Sequence, residues 1–207
     1  MRLPNAAHEA HPWVIAQIAP DFALLDVWAL PVRGGARDFE TLLDVIEALD
    51  PTNSRSALTR ALFRLRFLLG AWLGWDDRTR ERAIPGCTET SLRARLPEPL
   101  RGTARAILRA PRRGSGGGGF VPLYRTEREW AAELSNDTVH GVLHLAWIDE
   151  GDGRHRAQMG VYVKPRGALG EVYMKLIQPF RHWIVYPALM RQIGSAWGRR
   201  GARDGTA

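Results

Sequence analysis

The densest group of side chains able to do chemistry lies near the C-terminus, within a long apolar stretch. Pro179 and Pro187 bracket an Arg181–His182 pair, and Tyr186 precedes the second proline. Each proline lacks a backbone N–H and bends or restarts a helix, so we expect a segmented helix with the three polar side chains near its bends. An arginine can clamp a carboxylate or an enolate oxygen, and a histidine can move a proton. Polar groups beside an apolar wall are typical of a binding pocket.

A structural role for the same residues is the alternative. The prolines would then only wrap the helix around a sheet, and Arg181 would tie the helix to Glu133 or Asp137 through a buried ion pair. If a pocket exists, Tyr124, Glu133 and Tyr162 are further polar candidates for its lining, and Glu133 is also able to move a proton.

Two histidines four residues apart, His140 and His144, raise the question of a metal site. On a helix they would share one face and could hold one ion. The Val and Thr content and the alternation favour a strand, on which a rise of about 3.3 Å per residue puts them about 13 Å apart. We therefore expect no metal site. Both lie opposite the apolar face of Val139 and Leu143, so if that face lines a cavity we expect the two histidines to point outward.

Signals for other chemistry are weak. The single cysteine, Cys87, has no histidine partner in its surroundings and is expected to be inert. The glycines of 111–119 are not followed by the Lys-Ser/Thr of a phosphate loop, and the chain has no Gly-rich dinucleotide fingerprint. No Gly-x-Ser-x-Gly elbow is present either. Catalytic residues therefore stay unassigned, and no cofactor is expected.

The charge balance allows a different class of function. The chain of 207 residues has a formal net charge of +7, and nearly all of its basic residues are arginines. They are densest between Arg78 and Arg113, where no aromatic residue stands among them, so the stacking half of a single-strand nucleic-acid site is missing. This argues against nucleic acid and favours a solvated basic surface. A basic adaptor for an anionic partner (nucleic acid, membrane surface or acidic protein) stays open as the alternative. The arginines at issue include Arg93, Arg95, Arg101, Arg105 and Arg109.

The same totals bear on the cellular compartment. A single cysteine excludes an internal disulfide, and the N-terminus lacks the apolar core of a secretory signal. No run of about 18 uncharged apolar residues is present, so we expect no transmembrane segment. Together these features predict a cytoplasmic protein.

Apolar periodicity predicts a strand and two helices in the N-terminal half. The stretch 22–30 reads as a first strand that ends at Pro31. Residues 38–50 read as a helix with Asp38 as its N-cap. Leucines spaced by four and three across 54–75 predict a second helix whose apolar side packs on the core.

The C-terminal half predicts a sheet followed by a long helix. Strands are expected at 120–125, 137–148 and 156–164, the last two forming a hairpin. Between the first two, the capping-box sequence TERE precedes a stretch that reads as a short helix or as an extended segment. The tail at 168–197 has little purely polar face, so we expect it to be covered over most of its circumference.

These elements predict a single α+β domain. Residues 1–12 and 198–207 are expected to be flexible ends, the second of them basic, around one domain at 13–197 with a glycine-rich loop at 111–119. The stretch 76–119 has no readable pattern and would have to supply any strands beyond the four that can be placed firmly.

Three segments carry a family resemblance: IPGCTETSLRARLPEPLRGTA, ELSNDTVHGVLHLAW and IQPFRHWIVYPALMRQIGSAW. They resemble the bacterial family catalogued as domain of unknown function 2867 (DUF2867), from about Asp21 to Trp197, with PFRHWIVYP as the most specific part. That family is grouped with the START and polyketide-cyclase (SRPBCC) superfamily. The resemblance therefore implies a helix-grip fold, in which an antiparallel sheet wraps around a long, bent C-terminal helix beside an apolar cavity. Some relatives carry the domain behind an epimerase-like reductase domain, which implies an oxidoreductase as a partner.

The resemblance also bears on single residues. The matching piece SNDTVH implies an orienting role for His140 together with Asn136 or Glu133. The sequence thus predicts binding of a small hydrophobic, lipid- or polyketide-like molecule under the C-terminal helix, and leaves open both cyclase- or isomerase-type catalysis and the oligomeric state. The candidate ligand-binding residues are Tyr124, Glu133, Asn136, His140, Tyr162, Arg181, His182 and Tyr186.

Overall fold

Alternation of apolar and polar residues builds one antiparallel sheet. The computed structural model describes residues 1–49, 82–107 and 120–204. Within these ranges six strands form one sheet in the order β1-β2-β6-β5-β4-β3, with every neighbouring pair antiparallel. The strands are β1 (Arg2–Leu3), β2 (Ala23–Gly34), β3 (Val121–Arg125), β4 (Glu129–Ser135), β5 (Val139–Gly151) and β6 (Arg154–Pro165).

Helical elements cover both faces of this sheet. The α-helices are α1 (Ala6–Glu9), α2 (Val14–Ile18), α3 (Phe39–Glu47), α4 (Gly167–Phe180) and α5 (Tyr186–Asp204). A π-helical turn, Arg181–Val185, joins α4 to α5, and 3-10 turns cover Ala36–Asp38, Leu92–Arg95 and Glu98–Leu100. The Asp38 carboxylate accepts a hydrogen bond from the Gly35 N–H at 2.7 Å, so it caps the 3-10 turn before α3 and not α3 itself.

The β5–β6 hairpin forms the centre of the sheet. Its residues pair from Val139 opposite Pro165 up to the turn at the other end. Asp152 and Gly153 make this turn with φ values of 53° and 72°, a left-handed conformation that Asp and Gly adopt at low cost. The predicted hairpin is therefore confirmed.

The sheet face under α3 and α5 carries a packed apolar core. Trp130 and Trp147 are fully buried there, and their indole N–H groups donate to the carbonyl oxygens of Arg105 at 2.7 Å and Gly35 at 3.0 Å. These bonds satisfy the polar ends of the two fully buried indoles of this core. Apolar side chains therefore fill the space between α5 and the sheet. The core includes Trp28, Leu30, Val32, Phe39, Leu42, Leu43, Leu145, Met159, Met190 and Ile193.

The opposite face is covered by α1, α2 and the first part of the segment 82–107, up to Leu100, whereas Arg105 and Ile107 lie on the side of α3. This segment, which had no readable pattern, supplies a cover for the sheet and adds no strand among the described residues. The second core contains Trp13, Ile15, Ile18, Phe22, Ile84, Leu92, Leu96, Leu123, Tyr124, Val142, Ile148 and Tyr162.

The C-terminal helix behaves differently in its two halves. α5 packs on β2 and α3. α4 buries only Gly170, which lies against the Thr138 carbonyl just before β5, so this half runs along the end of the sheet and not over its face. The expectation that the whole tail is covered over most of its circumference is therefore wrong for α4. Five large apolar side chains at this end of the tail are 50% to 80% exposed: Leu169, Val172, Leu176, Phe180 and Trp183.

Tertiary pairing decides several segments that local signals misjudge. Residues 1–12, expected to be a flexible end, form β1 and α1 and bury His8 completely. The stretch after TERE is strand β4, because it pairs along its length with β5. α5 continues to Asp204, into the part expected to be a loose tail. The predicted helix at 54–75 and the loop at 111–119 lie outside the described residues.

The close approach at Gly170 predicts a measurable cost of substitution. A Cβ at this position would lie 2.2 Å from the Thr138 carbonyl oxygen, so Gly170→Ala should lower the free energy of unfolding by about 1–3 kcal/mol. Gly198 in α5 is the matched control because a Cβ there meets nothing within 4 Å, and Gly198→Ala should stabilise by about 0.5–1 kcal/mol. Urea denaturation measures both. Equal effects of the two substitutions would contradict this packing of α4.

Candidate functional site

A buried carboxylate, Asp26 of β2, is the centre of the polar cluster where the C-terminal helix meets the sheet. Its side chain is 1% exposed. One oxygen, Oδ2, accepts a short contact from Arg181 Nη2 and a hydrogen bond from the Tyr186 hydroxyl at 3.1 Å. The other, Oδ1, lies 2.5 Å from His182 Nε2, and Arg2 Nη2 is 3.9 Å away. Asp26 is therefore neutralised by a charge pair and hydrogen-bonded on both oxygens, as a buried carboxylate requires.

The π turn explains why consecutive residues reach one carboxylate. Pro179 lies within α4 and Pro187 within α5, and the turn between them carries Arg181 and His182. A π turn widens the helix by one residue and is frequent at functional sites. Arg181 Nε also donates to the Tyr186 hydroxyl at 3.2 Å, which joins both ends of the turn. The predicted clustering of these three polar residues near the bends is confirmed.

The electrostatics keep the ring groups of this cluster uncharged. Burial, with the positive charges of Arg2 and Arg181, lowers the pKa of His182. Burial also raises the pKa of Tyr186, and Arg181 opposes part of that rise. At neutral pH the cluster therefore holds one ion pair, Asp26 with Arg181, beside a neutral imidazole and a neutral phenol.

A groove of about 260 Å³ opens beside this cluster, between α4 and the strands β2 and β6. Asp26 and Arg181 stand in its wall. Its other lining residues are Ala23, Leu25, Val163, Pro165, Glu171, Met174, Lys175 and Gln178. Most of the groove surface is apolar, although four of its ten lining residues are charged: Asp26, Glu171, Lys175 and Arg181. An apolar surface with a few fixed polar groups is the usual composition of a small-molecule site.

A second polar group lies on the opposite face of the sheet, around Glu133. His140 Nε2 is 3.0 Å from Glu133 Oε2, which also accepts the Leu92 N–H at 2.9 Å, and the Ser91 hydroxyl makes a short contact with Oε1. The Asn136 side chain instead accepts hydrogen bonds from the turn between β4 and β5. Glu133 therefore fastens the 91–92 segment to the sheet and orients His140, whereas Asn136 shapes a turn.

A third group surrounds Glu129 on the same face. Its Oε2 accepts hydrogen bonds from the Tyr124 hydroxyl at 2.9 Å and the Val14 N–H at 3.0 Å, and His144 Nε2 lies 3.2 Å away. The His8 ring packs edge-on against His144, with 5.0 Å between the ring centroids. This contact brings the N-terminal helix into the cluster.

Burial controls the ionisation of this third group. It lowers the pKa of His8 to about 3, with a further contribution from His144, and it lowers the pKa of His144 although Glu129 opposes the change. It raises the pKa of Tyr124 and of Tyr162, which lines the same core. All four side chains are neutral at pH 7 and are shielded from solvent.

The eight residues predicted to form a ligand site therefore do not meet in one place. Arg181, His182 and Tyr186 meet at Asp26 under the C-terminal helix, while the other five lie in or beside the second core, on the far face of the sheet. Two expectations are wrong. Arg181 pairs with Asp26 and not with Glu133 or Asp137. His140 and His144 lie opposite Val139 and Leu143 as expected, but they do not point outward, because α1, α2 and residues 82–100 cover their face and bury them fully.

Asp26 is the functional candidate that sequence reasoning missed. It lies in FALLDVWAL, where a single charged residue interrupts an apolar strand. A carboxylate in such a position is buried only with a partner, so this interruption was the available signal.

The basic residues of the 82–107 segment are mostly engaged in contacts within the chain. Arg105 reaches Glu40 and Asp44 at 2.6 Å and Glu47 at 3.0 Å. Arg95 pairs with Asp21 at 2.6 Å and with Glu89. Arg101 pairs with Glu98, and Arg93 donates to the Pro122 carbonyl oxygen, while Arg109 lies outside the described residues. Much of the positive charge at these arginines is therefore balanced locally.

A wider, open depression of about 820 Å³ adjoins these arginines and is lined in part by Cys87 and Arg95. The Cys87 Sγ lies 3.2 Å from Arg95 Nη2 and 3.7 Å from Asp21 Oδ2. Hydrogen bonds from Arg95 and Lys164 lower the pKa of Asp21, although burial opposes them. Because these cations are paired with carboxylates, the depression offers a ligand less unbalanced charge than its arginine suggests.

Fold and site together define an α+β protein with a six-stranded antiparallel sheet and a long C-terminal helix fastened to it by a buried carboxylate. The chain belongs to the DUF2867 family, described as a protein of unknown function, which matches residues 18–188. The match includes Asp26, Arg181, His182 and Tyr186, and it confirms the family resemblance. No curated protein and no solved structure matches the chain. Within the described ranges no helix is long and apolar enough to cross a membrane, and no group of three or more His, Cys, Asp or Glu side chains could hold a metal ion.

The buried His8 predicts that acid destabilises the protein above the range in which carboxylates titrate. The pKa of His8 in the folded protein, about 3, lies below its ordinary value of 6.5. Between these two pH values the unfolded chain binds a proton at His8 and the folded chain does not. Stability from this group is present above pH 6.5 and is lost as the pH falls, by at most about 1.4 kcal/mol per pH unit. Urea denaturation at pH 7, 6 and 5 should show a slope of this sign, and His8→Gln should reduce it, leaving the part contributed by the lowered pKa values of His144 and His182. An unchanged slope in the variant would contradict the buried, neutral His8.

Proposed function

We propose that the protein binds a compact, mostly apolar small molecule in the groove beneath α4. The observation that carries the proposal is the groove of about 260 Å³ with the Asp26–Arg181 pair in its wall. Five of its lining residues are apolar: Ala23, Leu25, Val163, Pro165 and Met174.

The volume of the groove limits the size of the ligand. Small-molecule pockets usually enclose about 300–1,000 Å³, so this groove is slightly below that range. At about 30 Å³ for each group of the size of water, it has room for roughly nine such groups. The proposal is therefore a ring compound or a medium-length chain, and not a full membrane lipid.

Arg181 supplies the polar end of the proposed site. A guanidinium group carries five N–H donors. The contacts of Arg181 with Asp26 and Tyr186 use Nη2 and Nε, so the donors at Nη1 can serve a ligand. A carbonyl or carboxylate group matches these donors, because charge-assisted bonds from arginine to such oxygens are strong.

The proposal is limited to binding. Cyclase- or isomerase-type chemistry requires a proton-transfer group facing the ligand. His182 contacts the Asp26 oxygen Oδ1 and is not among the residues that line the groove. Glu171 and Lys175 do line it, but as solvent-exposed side chains of α4. Asp26 itself is held by Arg181, Tyr186 and His182, which makes it a positioning group for the arginine.

The helix-grip relation to the START and polyketide-cyclase superfamily belongs to the same proposal. It is supported by the antiparallel sheet, the long C-terminal helix interrupted by a π turn, and the groove between helix and sheet. The exposed side of α4 departs from a helix gripped on all sides. A cytoplasmic location is likewise part of the proposal.

Filling the groove should abolish ligand binding. Ala23 is an exposed strand residue in the groove wall, so Ala23→Phe should occupy the space without disturbing either core. Native mass spectrometry would follow retention of saturated carboxylic acids of six to ten carbons. We expect at least one to be retained by the natural protein and lost in Ala23→Phe.

Ala106→Phe is the matched control, because Ala106 is also exposed but lies in the 82–107 segment, away from the groove. This variant should retain the acid. Retention in both variants, or no retention by the natural protein, would contradict the proposed site. An endogenous ligand that leaves on denaturation would name the compound class directly.

A further inference from the structure

The exposed side of α4 and the following turn forms a continuous apolar strip, called here the α4 stripe. Its five side chains, Leu169, Val172, Leu176, Phe180 and Trp183, are 63%, 53%, 67%, 50% and 80% exposed, respectively. At about 100° per residue the four residues on α4 fall within about 80° of arc, and Trp183 follows in the π turn. The groove-lining residues of α4 lie about 100° to 160° of arc away from the centre of the stripe, so the stripe is separate from the proposed ligand site; they are Glu171, Met174, Lys175 and Gln178.

The extent of the stripe marks it as an interaction surface. Five large side chains exposed by half or more leave on the order of 600 Å² of apolar area, at the upper end of what monomeric proteins usually expose in one patch. No charged residue belongs to the stripe, and the two charged residues of α4, Glu171 and Lys175, carry opposite charges and lie on the groove side of the helix. Such a surface is costly to leave in water.

The spacing of the stripe points to a second copy of the chain as its partner. Its residues follow one another at intervals of three, four, four and three, which is symmetric about Leu176. We propose that two copies pack their α4 helices antiparallel around a two-fold axis at Leu176. Val172 then faces Phe180 of the second copy, and Leu169 faces Trp183 of the second copy. A two-fold interface needs a self-complementary surface of this kind.

Size and charge both fit this arrangement. Pairing two stripes would bury on the order of 1,200 Å², the lower limit for a stable specific interface. A small side chain opposes a large one at both outer levels, which suits the packing of ridges into grooves. Glu171 and Lys175, the charged residues of α4, leave this helix without net charge, so a second copy is not repelled. A helix built for an anionic lipid surface would instead carry basic residues along its flanks.

Sedimentation equilibrium from about 1 to 100 µM would test the dimer. We expect a mass twice the chain mass of 23.2 kDa. Leu176→Glu places two like charges on the axis and should weaken dimerisation more than about a hundredfold. Gln178→Glu adds the same charge on the other side of the helix and should leave the dimer intact. Circular dichroism should show both variants folded, because Leu176 is 67% exposed.

A mixing experiment tests the antiparallel register. Leu169→Glu and Trp183→Lys should each be monomeric alone. Mixed together, they should form a heterodimer, because the new glutamate of one chain faces the new lysine of the other. No association in the mixture would overturn the register.

Two other outcomes would overturn the homodimer. A natural protein that is monomeric at 100 µM and sediments with vesicles of phosphatidylcholine and phosphatidylserine would assign the stripe to a membrane surface. The natural protein could instead be monomeric and not sediment with vesicles, with Leu176→Glu lowering the melting temperature. This result would show that the stripe is covered within its own chain.

Discussion

The fastening of the C-terminal helix to Asp26 is the interaction on which the rest of this structure depends. A carboxylate that is 1% exposed is tolerable only if its charge is compensated and its oxygens are hydrogen-bonded. Arg181, His182 and Tyr186 provide this compensation from a single turn of helix. Because Asp26 must be compensated by these three side chains, its position fixes where the helix crosses β2. It thereby leaves the groove on one side of α4 and the exposed stripe on the other.

Two further buried carboxylates repeat the same principle on the opposite face. Glu129 accepts the Val14 N–H at the start of α2, and Glu133 accepts the Leu92 N–H of the 82–107 segment. Each also holds a buried histidine of β5. Three carboxylates on the sheet thus bind three segments that are distant in sequence. Apolar packing supplies most of the stability in such a protein, whereas these polar contacts decide which segment lies where.

The sequence predicted the sheet better than its covering. Apolar alternation placed β5 and β6, and the two prolines bracket the π turn that brings Arg181 and His182 together. Local patterns did not reveal that both faces of the sheet are covered, so His140 and His144 were expected to point outward. His8 was missed because its burial depends on contacts with β5 and β6, far away in sequence. The exposure of α4 had no local signal either, since an apolar helix reads the same whether its own chain or a second molecule covers it.

The most direct test of the account is a double-mutant cycle between Asp26 and Arg181. Asp26→Asn, Arg181→Met and the double variant would be compared with the natural protein by urea denaturation at pH 7. If the pair fastens the helix to the sheet, each single change leaves a buried group uncompensated. The two losses should then exceed the loss in the double variant, with a coupling of about 2 kcal/mol or more. If the sum of the two single losses equals the loss in the double variant to within about 0.5 kcal/mol, the helix is held by packing alone.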